Sequence, residues 1–118
     1  MTDFVRISFL LDFYGGLLTD RNYTVMDMHF NEDRSLAEIG DQLGISRQAV
    51  SDIISRSGAK LESYEAALGL GDRFLRQRQE LTALRGQLAG IDRGGVTPAD
   101  AEVLDSADKA LKHMIGEL

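Results

Sequence analysis

Apolar residues recur at three-to-four spacing along nearly the whole chain, and that period predicts helices throughout. No alternating run of five residues and no Asn-Gly or Asp-Gly turn suggests paired strands. Phe4, Ile7, Leu10, Leu11 and Tyr14 form one face of a first helix over about 3–15, ended by Gly15-Gly16. A second helix follows Thr19, a residue suited to N-capping, and carries Tyr23, Met26 and Phe30 on one stripe. The third opens on Ser35-Leu36-Ala37-Glu38, a capping-box pattern, with Leu36, Ile39 and Leu43 inward and Gly44 as its stop. The fourth starts at Ser46 and carries Val50, Ile53, Ile54, Leu61, Tyr64 and Leu68 to about residue 68. Gly58 lies inside it and is expected to weaken or kink it, by about 1 kcal/mol relative to alanine.

Gly69-Leu70-Gly71 reads as a hinge, followed by a fifth helix over about 72–90. There Phe74, Leu81 and Leu88 repeat every seven residues beside the series Leu70, Gln77, Leu84 and Ile91, a short heptad-like seam. Gly90 to Val96 is a linker. Thr97-Pro98-Ala99-Asp100 then opens a sixth helix with an N-cap, a proline at the first helical position and an acid in the first turn. Val103, Leu104, Ala107, Ala110, Leu111, Met114, Ile115 and Leu118 form its stripe. The expected fold is all-α: a helix-turn-helix bundle over 1–68, then a helical hairpin over 69–118. That hairpin is expected to pack on the bundle, as one compact domain, or on a second subunit, and a homodimer is the expected assembly.

With 118 residues there is room for one domain. The formal charge is −6, whereas domains built mainly to hold phosphates are usually basic. Both ends of the chain are acidic, and only 58–93 has a cationic surplus, with Arg73, Arg76, Arg78, Arg85 and Arg93. The absence of cysteine removes disulfides, thiolate metal sites and thiol nucleophiles, and fits a reducing compartment. Met1-Thr2-Asp3-Phe4 lacks the basic start of a secretory signal, and no apolar run is long enough to span a membrane. These features point to a cytoplasmic protein.

Residues 36–55, LAEIGDQLGISRQAVSDIIS, carry the most information. The spacing is that of a helix-turn-helix, with Gly40 at the close approach of two helices and Gly44 where the turn needs a positive φ. Ile39, Leu43, Ile45, Val50 and Ile53 lock the pair. The outward positions of the second helix are Ser46, Arg47, Gln48, Ser51, Asp52 and Ser55, with Arg56 just beyond. In a major groove Arg47 would suit guanine and Gln48 adenine, and the serines would suit phosphates. Yet the segment holds one basic residue against three acidic ones, Glu38, Asp41 and Asp52, which disfavours autonomous DNA binding. The anionic-partner surface is therefore expected on the fifth helix, at Arg73, Arg76 and Arg85.

The stretch from Leu18-Thr19-Asp20-Arg21 to Ile53 resembles the fourth region of bacterial sigma factors. A closer resemblance, over about residues 4–90, is to the YlxM family of small bacterial helix-turn-helix proteins. It rests on Leu11-Asp12-Phe13-Tyr14, Leu17-Leu18-Thr19, Ser35-Leu36-Ala37-Glu38-Ile39, Ile45-Ser46-Arg47-Gln48-Ala49-Val50 and Leu61-Glu62-Ser63-Tyr64-Glu65 in that order. The resemblance implies an accessory or regulatory protein of the signal recognition particle targeting pathway, binding its RNA or its GTPase. The alternative is a DNA-binding transcription regulator with a sigma-like helix-turn-helix. Gly40 stands where the family usually has alanine, an exchange the demand for small size is expected to allow.

Catalysis finds no support. His29 and His113 have no acid or nucleophile arranged for chemistry, and read as structural or solvent-facing. No nucleophile elbow, HExxH helix or P-loop is present, and Gly69-Leu70-Gly71-Asp72-Arg73-Phe74 fails at the last glycine of a dinucleotide loop. Asp100, Glu102, Asp105 and Asp108 follow no calcium-loop pattern and are expected to solvate the sixth helix. No metal or cofactor is expected.

Overall fold

Four capping serines and threonines set the helix starts seen in the computed structural model, which describes residues 1 and 3–117. The helices are α1 (Asp3–Tyr14), α2 (Asp20–Phe30), α3 (Leu36–Leu43), α4 (Arg47–Leu68), α5 (Leu70–Ala89) and α6 (Pro98–Glu117). Short 3-10 turns occupy Gly15–Leu17 and Arg93–Gly95, and the described residues contain no strand. The hydroxyls of Thr19, Ser35, Ser46 and Thr97 accept from the backbone N–H of Asn22, Glu38, Ala49 and Asp100, satisfying donors that each helix start leaves open. Glu38 reaches back to the Ser35 N–H, completing the expected capping box.

The chain divides into two units, Met1–Gly71 and Asp72–Leu118. In the first, α4 packs against α1, α2 and α3. Two buried clusters meet along it. Leu10, Leu11, Tyr14, Leu18, Met26 and Leu61 form one, while Val25, Met28, Ile39 and Val50 form the other. Ile54 touches both. Helix α4 runs unbroken through Gly58 for 22 residues, so the expected interruption does not occur. A Cβ on Gly58 would lie 3.8 Å from Ile7 Cδ1, an ordinary contact. Ser57 beside it is fully buried, and its hydroxyl has no hydrogen-bond partner among the described residues. Tertiary packing here outweighs the helix penalty of glycine.

In α1 to α4, three inward positions of the sequence stripes are in fact open. Phe4, Tyr23 and Leu68 are exposed, and Val25 and Met28 are buried on α2 in place of Tyr23. The three-residue hinge also contracts. Gly69 alone breaks the helix, at φ +63, as the left-handed C-cap of α4, and α5 begins at once with Leu70. Its first N–H groups are met by a tertiary cap. Leu70 N–H donates to Tyr14 Oη (3.0 Å), Gly71 N–H donates to Glu65 Oε1 (2.9 Å), and Tyr14 Oη donates to the same carboxylate oxygen (2.6 Å). Burial, and then the bond to Glu65, raise the Tyr14 phenol above its ordinary 10.0. This contribution to stability is complete below that value and is lost as pH rises through the higher folded one.

In the second unit α5 and α6 form the expected antiparallel hairpin, tied by Arg85 to Asp108 (2.8 Å) and Arg93 to Asp105 (2.6 Å). Asp105 and Asp108 therefore staple the hairpin rather than merely solvating α6. Of the α6 stripe only Leu111 is buried; Val103 and Met114 are exposed, and Leu118 lies outside the described residues.

Ser57→Ala is expected to leave stability unchanged or raise it by up to about 2 kcal/mol, since it deletes an unpaired buried hydroxyl. Urea unfolding checks this. A second expectation concerns acid. Arg6 holds Glu62 through two bonds of 2.6 and 2.7 Å, and this pairing keeps the Glu62 carboxyl below its ordinary 4.5. Its contribution is complete above that value and fades as pH falls through the lower folded one, because the unfolded chain takes the proton first. The urea midpoint is thus expected to drop as pH falls below 4.5, and less so in Arg6→Gln.

Candidate nucleic-acid interface

The joint between α3 and α4 is built from backbone contact. Gly44 ends α3 at φ +70, a conformation that suits glycine. Ile45 N–H donates to the Gly40 carbonyl at 3.0 Å, which pulls the turn against α3. A Cβ placed on Gly40 would sit 2.6 Å from the Ile45 carbonyl oxygen. Alanine is therefore not the free exchange that small size alone implied, because the neighbour is backbone and cannot rotate away. Gly40→Ala is expected to cost about 1–3 kcal/mol despite its better helix propensity, read as a lower urea midpoint.

Beneath this turn Ile39 and Val50 are fully buried, and Leu36, Leu43, Ile45 and Ile53 pack around them. The apolar set read from the sequence does lock the two helices. It leaves Ser46, Arg47 and Gln48 exposed at the start of α4, and Ser55 and Arg56 exposed two turns on. Ser51 and Asp52 are half-buried. The Ser46 hydroxyl is engaged as the helix cap, so its lone pairs serve Ala49. Gln48 Nε2 donates to Asp52 Oδ1 at 3.0 Å, one turn along the helix. That bond occupies part of the side-chain amide that would read an adenine, which offers both a donor and an acceptor edge. Arg47 and Arg56 have no ion pair among the described residues.

The arginines of the second unit fall into two groups. Arg85 is half-buried and held by Asp108, whose carboxyl this hydrogen bond keeps below its ordinary 3.8, and Arg93 is held by Asp105. Both act first inside the hairpin. Arg73, Arg76 and Arg78 are exposed. Arg76 has a loose pair with Asp72 at 3.6 Å, while Arg73 and Arg78 have none among the described residues. Arg78 thus joins Arg73 and Arg76 as an available cation. Its sequence signal is the lack of any acid three or four positions away on the helix, and Arg73 shares it. The partner of Arg85 lies on another helix, out of reach of local spacing.

Neither histidine sits in a catalytic arrangement. His29 packs edge-on to Phe30 at 4.9 Å and against Phe4, with Nδ1 3.0 Å from the Arg34 carbonyl. A carbonyl only accepts, so the proton belongs on Nδ1. His113 is exposed beside Glu117. Among the described residues no group of three or more His, Asp or Glu could hold a metal ion, and no helix is long and apolar enough to cross a membrane.

Comparison with known sequences agrees with this architecture. Residues 1–91 match the profile of UPF0122, described as "helix-turn-helix protein, YlxM / p13 like". A UPF0122 protein of Acetivibrio thermocellus is 38% identical over 106 residues, covering 90% of this chain and 91% of that one. One from Symbiobacterium thermophilum is 43% identical over 100 residues, covering 84% and 90%. One from Bacillus velezensis is 36% identical over 103 residues, covering 87% and 94%. With its joint at Gly40 and Gly44 and this match over residues 1–91, the chain belongs to the UPF0122 family of YlxM / p13-like helix-turn-helix proteins.

Proposed function

We propose that this chain is a non-enzymatic cytoplasmic regulator that binds nucleic acid. In this reading it is an accessory factor of the signal recognition particle targeting pathway, and its ligand is that particle's RNA. The carrying observation is the placement of available cations. Arg73, Arg76 and Arg78 stand exposed on α5, whereas the outward face of α4 pairs Gln48 with Asp52 and has Asp41 exposed on the helix before it. Structured RNA is recognised largely by shape and phosphate, which suits a row of exposed guanidinium groups. The protein acts as a homodimer in this reading, which brings two such rows to one ligand.

A second reading has one observation in its favour. Arg47 is exposed at the first position of α4, where a sigma-like helix-turn-helix would reach base edges in the major groove of DNA.

The test is recovery of tagged protein from cells, with sequencing of bound RNA and DNA and mass spectrometry of bound proteins. The expected outcome is enrichment of targeting RNA, reduced at least about tenfold in Arg73→Ala with Arg76→Ala and unchanged in Arg47→Ala with Gln48→Ala, since each lost phosphate contact weakens affinity. Recovery of a defined DNA operator lost in the second pair instead replaces this reading with the transcription regulator. Recovery of the pathway's GTPase without RNA assigns the surface to a protein partner.

A further inference from the structure

Asp12 is an acid at the wrong end of a helix. It lies in the last turn of α1, where the open carbonyls already carry negative partial charge, and that turn holds no basic residue. Asp20 opens α2 on the far side of the Gly15–Leu17 turn. Both carboxylates are exposed, and neither has an ion pair among the described residues. They line one groove together with Tyr23 and Thr24, over a floor that includes the buried Gly15 and Leu18. The chain supplies no cation to it. Arg21 is the one basic residue between positions 12 and 24 and is not part of the lining. The other arginines of residues 1–34, Arg6 and Arg34, are held by Glu62 and Glu32. Tyr23 is 41% exposed, although its helix stripe predicts an inward position. A Cβ on Gly15 would lie 2.8 Å from Cε2 and 2.9 Å from Cδ2 of that ring, so a side chain at position 15 would push the ring aside. Glycine lets the ring rest against the end of α1 and form one wall of the groove.

We propose that this groove docks an arginine side chain carried on a segment of a protein partner. Three features select that occupant. Two carboxylates and a helix C-terminus call for a cation. An exposed aromatic ring between them favours a cation with a flat, weakly hydrated body, which guanidinium has and ammonium or a metal ion lacks. The same negative charges repel phosphate, so nucleic acid is not the occupant. The site is independent of the RNA reading. It lies wholly within the first 71 residues, shares no residue with the α5 arginines, and has the opposite sign of charge.

The test titrates the isotopically labelled intact protein with a short glycine- and serine-rich peptide bearing a single arginine and blocked ends. Its twin carries citrulline, which keeps the shape and loses the charge. The arginine peptide is expected to give saturable amide shifts centred on Asp12 to Thr24, and the citrulline twin none. Asp12→Asn with Asp20→Asn is expected to weaken binding at least about tenfold, and Tyr23→Leu about two- to fivefold. Glu80→Gln with Glu102→Gln makes the same charge change at two exposed sites elsewhere and is expected to leave binding unchanged. All of these side chains are exposed, and each variant is expected to keep the helical circular dichroism of the parent. Absent or scattered shifts, equal shifts with the citrulline twin, or equal weakening by the two charge-matched pairs would each overturn the proposal. So would magnesium or spermidine giving the same shifts at the same concentration, which would mark counter-ion binding only. The RNA reading is scored separately, since Asp12→Asn with Asp20→Asn is expected to leave RNA recovery undiminished.

Discussion

The first 71 residues depend on one continuous helix having a narrow side. Helix α4 meets α1, α2 and α3, and its buried line is Val50, Ser57 and Leu61. Two clusters of side chains would otherwise be separate cores; Ile54 and this line join them. The line has a small residue in its middle, Ser57, and larger ones toward its ends. Ser57, Leu61 and Val50 are all fully buried along it. A bulkier residue at position 57 has nowhere to go in a close-packed interior. The outward face at the start of α4 is presented because the inward face is committed.

The same helix ends in a polar contact that does not belong to any local motif. Glu65 and Tyr14 together cap the start of α5, and Glu62 pairs with Arg6 one turn earlier. Tyr14, Glu62 and Glu65 come from the LLDFY and LESYE segments. Two of the segments on which the family resemblance rests therefore meet at the joint after α4, not at the candidate interface. A buried phenol shared between a backbone N–H and a carboxylate is costly to break, since each group would be left unpaired.

How far the sequence could be read follows from the range of the interactions. Helix starts were legible because Thr19, Ser35, Ser46 and Thr97 act on N–H groups three residues away. The lock of the helix-turn-helix was legible because its apolar positions sit at fixed spacing, and Ile39 and Val50 are indeed fully buried. The start of α5 was misplaced by two residues because its cap is supplied from Tyr14, 56 positions away. Tyr23 and Val25 exchanged roles because amphipathic period fixes a helix face only to within part of a turn. Of the outward positions read on α4, Ser46, Arg47, Gln48, Ser55 and Arg56 are exposed while Ser51 and Asp52 are half-buried, and the Gln48–Asp52 bond was missed although its four-residue spacing was visible. The engagement of Arg85 by Asp108 needed the hairpin itself.

The account of function turns on where anionic ligand meets the chain, and amide shift mapping tests that most directly. The intact protein, isotopically labelled, is titrated with targeting RNA, and the backbone amides are followed residue by residue. Perturbations centred on Arg73 to Arg78, with the start of α4 little affected, are the result the account predicts. Perturbations centred on Ser46 to Asp52 would contradict it and return the recognition helix to the role its fold suggests.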